Sequence, residues 1–109
     1  MEQMVNTRQK GHRIERLARI MLEAQGYLVY RVKGTSKWNL NVDIFGLFDI
    51  LAIKRLVEYT ECRLIQIKSN KIYGKELIPF KEFKETYGDA FSVEIWVWSN
   101  MGKFKKQLL

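Results

Sequence analysis

Asp49 is the only charged residue in the run Phe48–Ile53, FDILAI, and a carboxylate among such neighbours costs free energy unless a partner compensates it. Further on, in Arg63–Lys68, RLIQIK, the residues Leu64, Gln66 and Lys68 alternate with Ile65 and Ile67, which sets an amide and an ammonium on one face of an extended segment. If the two runs are neighbouring strands, Asp49, Gln66 and Lys68 point to one face and meet there. Glu15, flanking an apolar helical stripe, adds a fourth group. Two carboxylates and an amide oxygen are hard ligands suited to magnesium, with manganese able to substitute. In phosphodiester hydrolysis such an ion polarises a phosphoryl oxygen and lowers the pKa of bound water, and an ammonium placed like Lys68 orients that water or offsets charge.

The elements that must position these groups are readable from periodicity. Between Thr7 and Gln25 the residues Ile14, Leu17, Ala18, Met21 and Leu22 recur at helical intervals, and Gly26 follows as a stop. Tyr27–Val32 then reads as a strand, Lys33–Asn41 as an exposed loop, and the two runs above as the next two strands. Tyr73–Leu77 is expected to be a connection and Phe80–Thr86 a short helix after Pro79. Ser92–Trp98, SVEIWVW, is the strongest strand signal in the chain. The predicted order is αβββαβ, an α/β three-layer type of sandwich with a mixed central sheet of about four strands.

Composition bounds the rest. The chain has 109 residues with 47% hydrophobic content, which suits one domain over residues 1–109, with no repeat or linker signature. Its formal charge of +7 favours a polyanionic partner, nucleic acid first. A single cysteine, Cys62, excludes an internal disulfide and a Cys-based zinc site. A polar, basic start without an apolar run, and no window apolar enough for a membrane span, predict a cytoplasmic protein.

Arg8, Lys10, Arg13, Arg16 and Arg19 crowd the first helix and its approach, and Lys33, Lys37 and Lys71 lie near the expected cleft; both groups are candidates for phosphate contact, as is Ser69. Trp38 offers a stacking face for an unpaired base. Glu15 is spaced to pair with Arg19, Asp43 reads first as part of a turn, His12 as an exposed structural residue, and Lys103, Lys105 and Lys106 as a disordered tail. Phe45, Phe48 and the strand ending in Trp98 suggest more apolar surface than a small sandwich needs, hence a homodimer.

The arrangement resembles the PD-(D/E)XK nuclease superfamily. The resemblance rests on Gly11–Val32, which looks like a helix bearing a metal-site glutamate and the strand after it, on Asp43–Ile53, similar to the segment with the central aspartate, and on Leu64–Ser69, similar to the (D/E)XK strand. It implies a restriction-endonuclease-like fold and a magnesium-dependent endonuclease acting on duplex or branched DNA, as junction resolvases do. It also implies that Glu15, Asp49 and Gln66 are metal ligands joined by the backbone carbonyl of Ile67, with Lys68 as the site lysine. Small members of this group serve viruses and mobile elements, which would place the protein in a host-cell cytoplasm. Two departures are visible: Gln66 stands where an acid is usual, and Phe48, not proline, precedes Asp49. The first motivates an alternative, a DNA-binding module that keeps the fold without hydrolysis.

Overall fold

A computed structural model describes residues 7–32 and 43–109, the first three of them by backbone alone. The elements are α1 (Thr7–Ala24), β1 (Leu28–Arg31), β2 (Ile50–Arg55), β3 (Thr60–Lys68), α2 (Gly74–Tyr87), β4 (Ser92–Trp98) and β5 (Phe104–Leu108). The strands form one mixed sheet in the order β1-β2-β3-β4-β5. Within it β3 and β4 run parallel and the other pairs antiparallel. A parallel pair needs a crossover, and α2 provides it.

Side-chain alternation assigns the two faces. Ile50 and Ala52 of β2, Ile65 and Ile67 of β3, and Trp96 of β4 pack with Ile14, Ala18 and Leu22 of α1. Leu64, Val93 and Ile95 pack with Leu77 and Phe80 of α2 and with Phe48. The apolar stripe of α1 is therefore spent on one face of the sheet and that of α2 on the other, which makes an α/β sandwich. Gly26, at φ +96°, closes α1 in the left-handed conformation, and the Tyr27 N–H donates to the Leu22 carbonyl (3.1 Å) as the chain turns into β1. No helix among the described residues is long and apolar enough to cross a membrane.

Two expectations are corrected. The sheet has five strands, not four: the lysine-rich segment read as a disordered tail is β5, paired antiparallel with β4 from Trp98↔Phe104 to Glu94↔Leu108. An edge strand tolerates lysines because one of its rims is free, and the turn before it is built on Gly102 at φ +79° with the Ser99 N–H donating to the Lys103 carbonyl (2.8 Å). Next, α2 begins at Gly74 rather than Phe80, so the expected connection Tyr73–Leu77 is largely helical and Pro79 lies inside the helix. Its start is fixed by Glu76, whose Oε1 accepts the Tyr73 N–H (2.8 Å). Of the apolar residues that suggested a homodimer, Phe48 is fully buried, Trp98 packs edge-on against Phe104 at 5.0 Å, and Phe45 stacks on Phe83 at 5.6 Å but remains exposed.

Candidate active site

Asp49 sits one residue before β2, between the fully buried Phe48 and Ile50. Both of its backbone groups are taken by neighbouring strands: its N–H donates to the Ile65 carbonyl (3.0 Å) and its carbonyl accepts from Val32 (3.1 Å). The apolar neighbours therefore act as anchors, and the carboxylate projects from a backbone with no local freedom. Its Oδ2 accepts the Ile67 N–H at 3.0 Å.

The register Ile50↔Ile65 sets Gln66 opposite Asp49, so the two side chains share a face. Oriented to satisfy its hydrogen bonds, the Gln66 amide nitrogen donates to Asp49 Oδ2 (3.1 Å) and to the Leu47 carbonyl (2.6 Å). Lys68, two residues on, forms an ion pair with Glu76 at 3.6 Å. It also pulls the Asp49 pKa down through its charge.

Glu15 reaches the same place from α1. Glu15, Asp49, Gln66, Ile67 and Lys68 line one open concavity of about 430 Å³ at the C-terminal end of β3, with Ser69 and Lys71 on its wall. The spacing that would pair Glu15 with Arg19 is not used that way, since Arg19 bonds Glu23 at 3.3 Å.

The electrostatics of the concavity are those of crowded carboxylates. Burial above all, and then the charge of Asp49, push Glu15 up to about 7, while Arg31 opposes the shift and Asp43 adds to it. Burial likewise raises Asp49 to about 6, against the lowering effect of the Ile67 N–H, with Asp43 raising and Lys68 lowering it further. Two neighbouring carboxyls that resist ionisation together are suited to accept a divalent cation in place of protons. Among the described residues no three His, Cys, Asp or Glu side chains gather to hold an ion by themselves. A cation here would therefore depend on the Gln66 amide and the Ile67 carbonyl to complete its oxygen set.

Several contributors escaped the sequence reading. Glu76 lines the concavity and holds Lys68, but its segment read as a connection, which hid it. The usual capping signature that would have marked it is missing, because Tyr73 stands where Ser, Thr, Asp or Asn would be expected. Arg31 is tied to α1 by a bond from Nη1 to the His12 carbonyl (3.1 Å) and stands near Glu15. Asp43, ranked low as a turn residue, acts on both carboxyls, and the turn Ile44–Phe48 closed by the Ile44 N–H to Phe48 carbonyl bond (2.8 Å) connects it to Asp49.

Of the expected phosphate contacts, Arg13 and Arg16 are exposed on α1 and Lys10 is half-buried there. None of the three lines the concavity. His12 is exposed, as expected. Lys33, Lys37 and Trp38 lie outside the described residues, as does the side chain of Arg8. Comparison with models of known families and with curated protein sequences finds no match.

Proposed function

We propose that the protein is a magnesium-dependent endodeoxyribonuclease of PD-(D/E)XK type, acting on duplex or branched DNA. One observation carries the reading: Glu15, Asp49, Gln66 and Lys68, picked out by residue type and spacing, line a single concavity although they come from α1, the approach to β2, and β3. Chance would scatter four polar residues over the molecule, and a purely structural role leaves two adjacent carboxyls with raised pKa values unexplained.

Glu15, Asp49, the Gln66 amide oxygen and the Ile67 carbonyl are the groups that would hold the cation. When bound, magnesium supplies Lewis-acid polarisation of a phosphoryl oxygen and a water of lowered pKa. Asp49 is held rigid by the strands on both sides, so its carboxylate keeps a fixed position towards an incoming phosphodiester. The Lys68 ammonium, oriented by Glu76, stands where it can hold the attacking water or offset charge gathering on phosphate. Lys71 and Ser69 on the same wall offer a cation and a hydroxyl to the flanking backbone. A cut through both strands would need two copies of the site, which keeps the homodimer as part of the proposal.

The alternative, a DNA-binding module without hydrolysis, is favoured by one feature: with its amide oriented to satisfy its hydrogen bonds, Gln66 turns its nitrogen and not its oxygen to Asp49. Ligation would require the amide to turn over and give up both of its bonds. The experiment is to incubate the pure protein with plasmid, flap and four-way-junction DNA in magnesium, manganese or EDTA. Cleavage in either metal and none in EDTA or in Asp49→Ala supports the nuclease; salt-sensitive binding with no cleavage in any buffer supports the alternative.

A further inference from the structure

The two carboxylates of the candidate site stand on separate elements, Glu15 within α1 and Asp49 just before β2. Among the described residues no backbone hydrogen bond links α1 to Asp43–Asp49. Apolar packing holds α1 on the sheet, but such packing is non-directional and does not by itself fix a carboxylate to the fraction of an ångström that coordination requires. The directional link runs through the end of β1. There the Val32 N–H donates to the Asp49 carbonyl (3.1 Å), and Arg31 Nη1 donates to the His12 carbonyl (3.1 Å). His12 lies three residues before Glu15, so the bond lands on the turn of α1 that carries Glu15.

The sheet register delivers Arg31 to this place. It pairs with Ile50, whose side chain packs against α1, so the half-buried Arg31 side chain points to the α1 face. Its charge also reaches Glu15, where it opposes the upward push that burial and Asp49 exert on the carboxyl. A guanidinium suits both tasks at once, since its fork holds a backbone carbonyl while its charge, which is never lost, acts on a neighbouring carboxylate.

We propose that Arg31 is a positioning residue for the cation site: it fastens the turn of α1 that bears Glu15 to the strand end bonded to Asp49, and so sets the distance between the two carboxylates. The proposal rests on the reading of that site as one that holds a divalent cation. Arg31 does not line the concavity, so it acts through Glu15. Its charge alone repels a cation bound nearby. Loss of the charge without loss of position therefore tightens metal binding, whereas loss of position weakens it, and the two effects differ in sign.

The test is titration of manganese into the DNA-free protein, well below its melting temperature, for the wild type, Arg31→Met and Arg31→Lys. Met keeps an unbranched apolar stem but removes the charge and the donors. Removing a partner that orients a metal ligand costs about 10–100-fold in affinity, so Arg31→Met is expected to bind manganese at least about tenfold more weakly than the wild type. Arg31→Lys, whose ammonium can still donate to the His12 carbonyl, is expected to recover most of that loss. A residue that only held the fold together would lower the melting temperature and leave the affinity of the folded protein where it was. Manganese bound by Arg31→Met as tightly as by the wild type, or more tightly, would overturn the proposal. A double-mutant cycle of Arg31→Met and Glu15→Gln, read by melting in EDTA in a buffer basic enough to ionise Glu15, makes the same comparison without metal. Arg31→Met is expected to lower the melting temperature less in the Glu15→Gln background, because part of what it removes is the hold on Glu15. Additive losses would overturn the proposal whatever the metal does. A wild type that binds no manganese removes the cation site, and a non-additive cycle in that protein still supports Arg31 as the residue that places Glu15.

Discussion

Asp49 and Gln66 face each other across β2 and β3 with the amide nitrogen 3.1 Å from the carboxylate, and the same oxygen of Asp49 also takes the Ile67 N–H at 3.0 Å. An amide N–H donated to Asp49 favours its ionised form, whereas a second carboxylate at position 66 would oppose it. Gln66→Glu would lose both donated bonds and set two carboxylates together. The expected outcome is a metal-free protein destabilised by about 1–3 kcal/mol, with tighter magnesium binding than the wild type. Urea unfolding in EDTA and in magnesium reads both effects.

Asp49→Asn separates charge from shape. An Asn oxygen still accepts the Ile67 N–H, and the unfavourable buried charge is gone. The variant is expected to melt no lower than the wild type in EDTA. Cleavage should fall by at least about a hundredfold, since even outer-shell partners of a metal site are worth about 10–100-fold. A melting scan beside a plasmid-nicking assay checks the pair of outcomes.

The raised carboxyls give the metal-free protein a pH signature. Glu15 titrates at about 7 against an ordinary 4.5, and Asp49 at about 6 against 3.8, so the folded state binds protons that the unfolded chain releases. Their contribution to stability is complete below about pH 4 and is lost as pH rises through about 6 to 7. Glu76 and Glu94, whose pKa values are lowered, act with the opposite sign at lower pH. Melting curves of the wild type minus those of Glu15→Gln isolate the Glu15 part, which should decline across the neutral range in EDTA and flatten in magnesium.

On the α1 face of the sheet, Arg63 clamps Glu94 with two bonds of 2.7 Å, between the rings of Tyr27 and Trp96. Burial is the strongest influence on Glu94 and would raise its pKa, but Arg63, the Trp96 N–H (3.0 Å) and Ser92 (2.9 Å) together hold it below the ordinary range. Arg63→Ala leaves that carboxylate stranded and is expected to cost about 3–5 kcal/mol, whereas Arg63→Met/Glu94→Leu should cost much less. Chemical denaturation of the single and double variants measures the difference.

Elements with strong periodicity were legible in the sequence. Of the α1 stripe Ile14, Ala18 and Leu22 are buried while Met21 is exposed; RLIQIK buries Leu64, Ile65 and Ile67, and SVEIWVW buries Val93 to Trp96. The grouping of Asp49 with Gln66 and Lys68 followed from the demand that polar groups in apolar strands find partners. What was missed had weak local signals. In β5 the apolar residues Phe104 and Leu108 are diluted by two lysines, so its identity depends on pairing with β4, a long-range fact. The start of α2 was masked by Pro79, whose usual place in the first turn pointed to Phe80, six residues too late, and with it went Glu76. The mutual influence of Asp43, Glu15 and Asp49 is three-dimensional and has no trace in spacing.

The most direct measurement is titration of manganese into the pure, DNA-free protein, read by electron paramagnetic resonance, for the wild type and Asp49→Asn. One site per chain that competes with magnesium in the wild type, and is lost in the folded Asn variant, is the expected result. Manganese bound equally by both proteins, or by neither, would contradict a cation held between Glu15, Asp49 and Gln66.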